Sequence, residues 1–450
     1  MIQGQLAKLA QELNLELIGN DNSFKGISID SRRLEKGNIF VAIRGERFDG
    51  HDFIEAASKK NPACIISEKP LTINYPYILC KNSRLLLGKM ASWWRSKFHI
   101  PFLALTGTCG KTTTKQMLGE ILKQSHQVLL SEKTFNNDLG VPLTLFRLGK
   151  EHQFAVLECG MNHPGEINYL GEIIQPQVAA VTNIGAGHIE FFKNLDAIAK
   201  EKSDLYRTLI ADGIGIVNLD DRYSTYFQDV LHSNKIMTCS VQAKQPQVKA
   251  VDIELDELQR PGFRLLYQGK SVSVQLPLLG KHNIMNALIA ASMALAVNVN
   301  LTDIKCGLEK TINMPQRMQL HTLNAETVLI DDGYNAIPDA VEKSLELLAG
   351  FAGKRIFIFG GMAELGDKAI RYHQKIGRVA KNLGIDAIYA FGEYCHFTIE
   401  AFGEGGKLFA NQNQLIEQIK RLDISHACLL VKGSRGSKME NVVAAILPEK

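Results

Sequence analysis

At 450 residues the chain is longer than a single hydrophobic core usually grows, and three domains are expected. Its 51 basic and 47 acidic residues are interspersed and leave a formal charge of only +4, too weak a bias to point to nucleic acid and equally suited to a small anionic ligand. Eight cysteines without a CxxC pair argue against a disulfide framework, and no apolar run reaches the roughly 18 residues of a membrane span, so a reduced, soluble, cytoplasmic protein is expected, neither exported nor inserted in a membrane.

Residues 1–17 form an amphipathic pattern, and short β-like runs follow at 26–30, 39–43, 63–66 and Tyr77–Leu79, with one helix near 53–60. This predicts a small α/β first domain over residues 1–100. A helix over 83–98 carries Leu86, Leu87, Met90, Trp93, Trp94 and Phe98 on one face, the tryptophans being read as packing, and Pro101 restarts the chain as a strand. From 101 to 312 strands at Phe102–Thr106, Phe154–Glu158, 178–183 and 215–218 alternate with helices, the pattern of βαβ units on a largely parallel sheet. Past Pro315 the alternation resumes at 328–331, 355–360, Ala387–Phe391 and 428–431, predicting a third, doubly wound domain over 313–450.

The first strand of the middle segment runs into Thr106-Gly107-Thr108-Cys109-Gly110-Lys111-Thr112-Thr113-Thr114 and then a helix. Glycines let the backbone turn its N–H groups inward, Lys111 supplies a cation, and the helix N-terminus adds partial positive charge, which together suit a triphosphate. The Thr112 hydroxyl is placed for magnesium. Leu105 stands where the general phosphate-loop pattern has its first glycine, so this is the TGTxGKTT variant. ATP binding is the firmest inference. The apolar strands that follow end in polar clusters. Glu158 leaves its strand either as a magnesium ligand or as a solvated strand-end carboxylate, and His188 either ligates a second metal or caps a turn. Asp331-Asp332 could serve a metal or a sugar. Lys432, Ser434 and Arg435 form either an anion site or an ordinary surface loop.

The phosphate loop occurs together with Asn136-Asn137-x-x-Gly140-x-Pro142-Leu143-Thr144, Glu158-x-Gly160-x-Asn162-x-x-Gly165-Glu166-Ile167, Asn183-Ile184-Gly185-x-x-His188 and Gly280-x-His282-Asn283-x-x-Asn286-Ala287. In order and spacing this set resembles the Mur ligases over nearly the whole chain. Asp331-Asp332-x-Tyr334-Asn335-Ala336-x-Pro338, Gly361-Met362-x-Glu364-Leu365-Gly366 and Lys432-Gly433-Ser434-Arg435-x-x-x-Met439-Glu440 are similar to the branch that adds the D-alanyl-D-alanine dipeptide, and no DNPR-type motif of the third-residue branch is found. Asp30-Ser31-Arg32 and the run from Phe40 to Ile54 resemble that branch's UDP-substrate domain.

The resemblance implies a three-domain α/β ligase: a UDP-substrate domain, a central phosphate-loop ATPase domain, and a Rossmann-like C-terminal domain for the dipeptide. It implies an ADP-forming condensation of UDP-N-acetylmuramoyl-tripeptide with D-Ala-D-Ala through an acyl phosphate, in peptidoglycan synthesis, by a monomer that binds no nucleic acid. Catalytic roles fall on Lys111, Lys202, His188 and Arg317. ATP contacts would come from Gly107, Thr108, Cys109, Gly110, Lys111, Thr112, Thr113, His282, Asn283, Asn286, Arg317 and Asp332. Thr112 and Glu158 would hold one Mg²⁺, and His188 with a carbamylated Lys202 the second, with Lys200 the competing register. Ser31, Arg32, Asp49, Gly50, His51, Asn137, Tyr334, Asn335, Lys432, Ser434 and Arg435 would bind substrates. Cys109, Ile337 and the Gly436-Ser437-Lys438 spacer depart from the family pattern, and Cys109 is either a reactive thiolate or an inert packed thiol. Two rivals share features: another ligase of this architecture, and a phosphate-loop kinase or switch, which has no use for the His282-Asn283 cluster.

Overall fold

The structure, a computed structural model, describes residues 1–45, 48–132, 135–324 and 326–447. Three sheets follow one another along the chain. The middle one positions the site. Its nine strands lie in the order Lys270–Gln275, Pro261–Tyr267, Val248–Leu255, Lys235–Ser240, Ile214–Asn218, Val178–Val181, Phe102–Thr106, Phe154–Glu158, Val128–Leu130. From Val248–Leu255 onward all are parallel, which requires cover on both faces. Strand Phe102–Thr106 is buried at every residue. Leu103 and Leu105 pack in one core with Leu118 of helix Lys111–Leu122 and Leu288 of helix His282–Leu295, whereas Phe102 and Ala104 belong to the opposite core with Ile167, Leu170 and Ile198. Because the chain turns back on either side of this strand, its carboxyl end opens at a topological switch point, where an open α/β sheet leaves a crevice.

The third sheet has the order Gln319–Asn324, Thr327–Asp332, Ala427–Gly433, Lys354–Gly360, Ala387–Phe391, Gly406–Phe409, parallel except for its first pair. Helix Pro338–Ala349 starts on Pro338 at its first position, where the missing N–H costs nothing. The first sheet runs Leu17–Ile18, Tyr77–Leu79, Cys64–Ser67, Ile39–Val41, Ile27–Ser28, with a ribbon of Gln3–Gln5 and Ser23–Lys25 beside it. Helix Ser83–Arg95 then lies against the middle unit. Arg84 pairs with Asp138, Arg95 Nε donates to Ile174 O at 2.8 Å, Trp94 Nε1 donates to Leu148 O at 3.3 Å, and Gly88 faces Tyr169 so closely that an added Cβ would lie 2.0 Å from the Tyr169 hydroxyl.

Three elements differ from expectation. The first 17 residues break into strand Gln3–Gln5, helix Leu6–Glu12 and strand Leu17–Ile18. The expected helix at 53–60 is a 3₁₀ turn, Gly50–Phe53, continued by Ile54–Ser58. An antiparallel ribbon over 248–275 extends the middle sheet, its one-sided burial marking a sheet margin with a solvated face. Among the described residues no helix is long and apolar enough to cross a membrane.

Candidate active site

A cleft of about 960 Å³ opens at the carboxyl ends of the middle and third sheets. Its floor is the phosphate loop. Gly107 (φ +146°) passes so near Thr182 that a Cβ would lie 1.9 Å from Thr182 Oγ1, and at Gly110 (φ +80°) a Cβ would lie 2.3 Å from Asn286 Oδ1, so both positions demand glycine on conformation and on space. The next strand's end straps the loop down. Cys109 N donates to Asn183 Oδ1 at 2.9 Å, Thr182 Oγ1 donates to Cys109 O at 2.6 Å, and Gly185 N donates to Thr108 Oγ1 at 2.9 Å. Lys111 Nζ donates to Gly107 O (2.7 Å) and Thr108 O (3.2 Å), so the cation is centred over the loop. Burial pushes the Cys109 thiol up to about 11, which makes it the inert alternative.

Beside the loop, Glu158 is almost fully buried. Asn136 Nδ2 donates to its Oε1 at 2.9 Å and Lys115 Nζ stands 3.4 Å from its Oε2, an oxygen that otherwise meets no donor among the described residues. Burial opposes its ionisation, but Lys115 and Lys111 outweigh this and hold the carboxyl below its ordinary value. Lys202 faces the same cleft from helix Leu195–Arg207 and is 2% exposed, while Lys200 points to solvent. Burial, then the nearby charge of Lys111, push the Lys202 amine well below its usual range. Its neighbour Glu201 has another task, accepting from Gly165 N (2.9 Å) and Ile167 N (3.1 Å) at the start of helix Glu166–Ile174.

At the start of helix His282–Leu295, Asn286 Nδ2 donates to Asn283 Oδ1 at 2.8 Å, and Asn283 Nδ2 to Leu279 O at 2.7 Å. His282 is pushed down to about 4 by burial and is neutral at physiological pH. The third sheet supplies the opposite wall. There Asp332 accepts from Lys432 Nζ, from Ser344 Oγ at 2.9 Å and from Met318 N at 3.3 Å, so both charged groups are already committed to each other. Tyr334 lies under Arg317, whose guanidinium carbon is 4.1 Å from the ring centre, with Arg435 at 5.9 Å. His188 (φ +60°) sets Nδ1 at 2.7 Å from Glu364 Oε2 of the third unit.

A second cluster lies in the first unit, again at the carboxyl ends of parallel strands. His51 Nε2 accepts from Glu68 N at 3.0 Å, which leaves the ring proton on Nδ1 for Asp49. The backbone N–H and ring of His51 hold the Asp49 carboxyl down at about 2. Gly50 presses on Ile43, whose N would lie 2.5 Å from an added Cβ. Arg32 is exposed and grips Asp30 through two 2.9 Å bonds.

Profiles of one family match the chain in three consecutive stretches: the Mur ligase family, catalytic domain over 23–91, the Mur ligase middle domain over 105–294, and the Mur ligase, glutamate ligase domain over 316–435. The UDP-N-acetylmuramoyl-tripeptide--D-alanyl-D-alanine ligase of Escherichia coli K12 is 37% identical over 448 residues, 99% of each chain. The chain belongs to the Mur ligase family. A crystal structure of MurF from Acinetobacter baumannii superimposes with a TM-score of 0.95 at 34% identity, covering 99% of both chains, and MurF from Thermotoga maritima in complex with ADP gives 0.84 at 25% identity over 94% of this chain and 97% of that one.

Of the residues singled out from the sequence, this Mur ligase gathers Thr108 to Thr113, Glu158, His188, Lys202, His282, Asn283, Asn286, Arg317, Asp332, Tyr334, Asn335 and Lys432 around one cleft, with Gly107 shaping the loop beneath. Ser31, Arg32, Asp49, Gly50 and His51 stand apart in the first unit. Three others fall outside the cleft. Asn137 is exposed and its Oδ1 accepts from Gly140 N at 2.8 Å at the start of helix Gly140–Leu145, because the neighbouring amide Asn136 takes the position facing Glu158. Ser434 turns its backbone N–H to Gly361 O at 2.9 Å. Arg435 is exposed beyond Tyr334, where its Nη1 donates to Gln316 Oε1 at 3.1 Å. Sequence reasoning missed Asn136, Lys115, Ser344 and Glu364 as site residues, although Asn136 and Glu364 stood inside motifs already noted.

Proposed function

We propose that this ligase joins D-alanyl-D-alanine to UDP-N-acetylmuramoyl-tripeptide, with ATP converted to ADP and phosphate, completing the UDP-muramoyl-pentapeptide precursor of peptidoglycan. The observation that carries this reading is the 37% identity to the E. coli enzyme of that name across 99% of both chains. Within this reading we assign residues 1–100 to the UDP-linked substrate, 101–312 to ATP, and 313–450 to the dipeptide. We take it to act in the cytoplasm as a monomer, without nucleic acid and without membrane insertion.

A carboxylate oxygen of the tripeptide attacks the γ-phosphorus and ADP leaves. The dipeptide amine nitrogen then attacks the acyl carbon, loses a proton, and inorganic phosphate leaves. Little covalent work falls to the protein. Its contribution is to assemble and neutralise anions. Lys111 and the loop N–H groups would hold the β- and γ-phosphates, with Arg317 reaching them from the third unit. His282, Asn283 and Asn286 would line the adenine, and Asp332, fixed by Lys432 and Ser344, would meet the ribose. Since Lys432 is held by Asp332, the exposed Arg435, which lies near Tyr334 and also pairs with Glu440 at 3.5 Å, is our candidate for meeting the dipeptide carboxylate at the edge of the cleft. Ser31, Arg32, Asp49, Gly50 and His51 would take the UDP moiety.

Two magnesium ions would suit these residues. Glu158 brings an ionised, buried carboxylate whose Oε2 meets no donor but Lys115 among the described residues, alongside the Thr112 hydroxyl, which fits a hard cation. His188 and a carbamate on Lys202 would hold the second. Metal there would neutralise the charge developing between the phosphates. A neutral amine is what adds to CO₂: the Lys202 nitrogen attacks the carbon and releases one proton, converting a buried base into an oxygen ligand. The test is phosphate release from ATP and Mg²⁺ with UDP-muramoyl tripeptide, with and without D-Ala-D-Ala. Release that requires both, with the pentapeptide mass appearing, is expected; release indifferent to the dipeptide overturns the reading.

A further inference from the structure

The Gly361-Met362-Ala363-Glu364-Leu365-Gly366 loop of the third unit has no part in the mechanism above, yet it reaches across to the middle unit at one place. Glu364 Oε2 stands 2.7 Å from His188 Nδ1, an atom shielded from solvent, with the ring turned off the line of a hydrogen bond among the described residues. Glu190 N donates to Glu364 O at 3.3 Å, and Lys368 Nζ donates to Lys193 O at 3.3 Å. Gly366 comes within 3.5 Å of Glu190, measured from where a Cβ would stand. Both His188 (φ +60°) and Glu364 (φ +58°) adopt the left-handed backbone that non-glycine residues rarely take, and such conformations persist where surrounding structure imposes them.

We propose that Glu364 is a positioning residue for His188. A small turn of the ring at this 2.7 Å separation lets the carboxylate accept the Nδ1 proton, which fixes the imidazole tautomer and leaves the Nε2 lone pair as the ligand for the cleft that His188 lines. Since Glu364 belongs to the third unit and His188 to the middle one, the second metal position is finished only when the dipeptide-binding unit is docked. Assembly of that position is thereby coupled to docking of the third unit. This rests on the reading of His188 as a metal ligand.

The experiment uses the full chain as wild type, Glu364→Ala, Glu364→Gln and His188→Ala, with Mn²⁺ in place of Mg²⁺. Mn²⁺ binding is titrated by electron paramagnetic resonance in the presence of ADP and the UDP-tripeptide, and kcat and KM for ATP are measured separately. Glu364→Ala is expected to weaken the second Mn²⁺ site by roughly 10- to 100-fold and to lower kcat by a similar factor, with KM for ATP within about twofold of wild type. Glu364→Gln keeps an acceptor oxygen and is expected to retain most of both. Should Glu364→Ala fold poorly, Glu364→Asp, too short to span the gap, takes its place with the same expected loss. Two Mn²⁺ sites of wild-type strength in the Glu364 variants, with one lost in His188→Ala, would overturn the positioning role alone. Two intact sites in His188→Ala would instead remove the ligand role on which it rests.

Discussion

Lys202 and Lys432 face one cleft from opposite walls, and each is 2% exposed, yet the two surroundings differ in kind. Lys432 lies directly across a parallel strand pair from Asp332 and is bound to it, with Ser344 completing the carboxylate's shell. Lys202 has no hydrogen bond or ion pair to its Nζ among the described residues, and burial, followed by the repelling charge of Lys111, disfavours its charged form. A buried lysine given a counter-ion is a fixed positive post that orients something else. One denied a counter-ion becomes a neutral nucleophile. The third buried lysine, Lys115, falls with the first kind, since it stands by Glu158. The middle unit thus leaves one of its buried amines without a counter-ion, while the third unit ties its own to Asp332.

The contrast breaks most visibly at Lys202. Lys202→Ala is expected to lose roughly 10³-fold in kcat, about 4 kcal/mol of transition-state stabilisation, with partial recovery on adding formate or acetate, whose carboxylate can stand in for a carbamate. Full activity of this variant in a phosphate-release assay would sink the assignment. Lys432→Met acts on stability instead. It strands a buried carboxylate, and urea unfolding should show a loss of about 3 kcal/mol, toward the lower limit for such a deletion because the site borders the cleft. Adding Asp332→Asn should restore part of that. No recovery would mean the two residues are not an energetic pair. A smaller effect sharpens the role of Glu158: Asn136→Ala removes one hydrogen bond to a charged group, about 1.5 kcal/mol, read as a roughly tenfold rise in KM for Mg-ATP with KM for the dipeptide unchanged. The least effect on stability belongs to the solvent-exposed pair in the first unit. Arg32→Ala should leave the unfolding midpoint where it is while raising KM for the UDP substrate, and a midpoint shift would show that Arg32 is structural.

The phosphate loop could be read from the sequence because its chemistry is carried by backbone turns that only particular residues permit, as at Gly107 and Gly110. Strands with both faces buried were equally legible. The choice between Lys200 and Lys202 needed only the helical period, since Ile198, Lys202 and Leu205 share the buried stripe and Lys200 does not. The ribbon over 248–275 had a signal as well: alternating residues on either side of Gln268 and Gly269, both at positive φ in the turn. Other features could not be read. Asp332 and Lys432 meet through the register of strands that lie 100 positions apart in the chain, and nothing local in either segment encodes it. Between Asn136 and Asn137, identical amides in sequence, only the path of the backbone decides which one faces Glu158 and which one caps a helix.

The helix Ser83–Arg95 joins the first unit to the second through Arg84–Asp138, the Arg95 bond to Ile174 and the close seat of Gly88 on Tyr169. Such a joint leaves little freedom between the strand-end cluster of His51 and Asp49 and the cleft that holds Glu158. With the substrate placed as proposed, the two sites would act as the jaws of a gauge set to one opening. A nucleotide-linked peptide gripped at one end would deliver its terminal carboxylate to the phosphate loop only if its length matched that opening, so the molecule would measure its substrate before activating it.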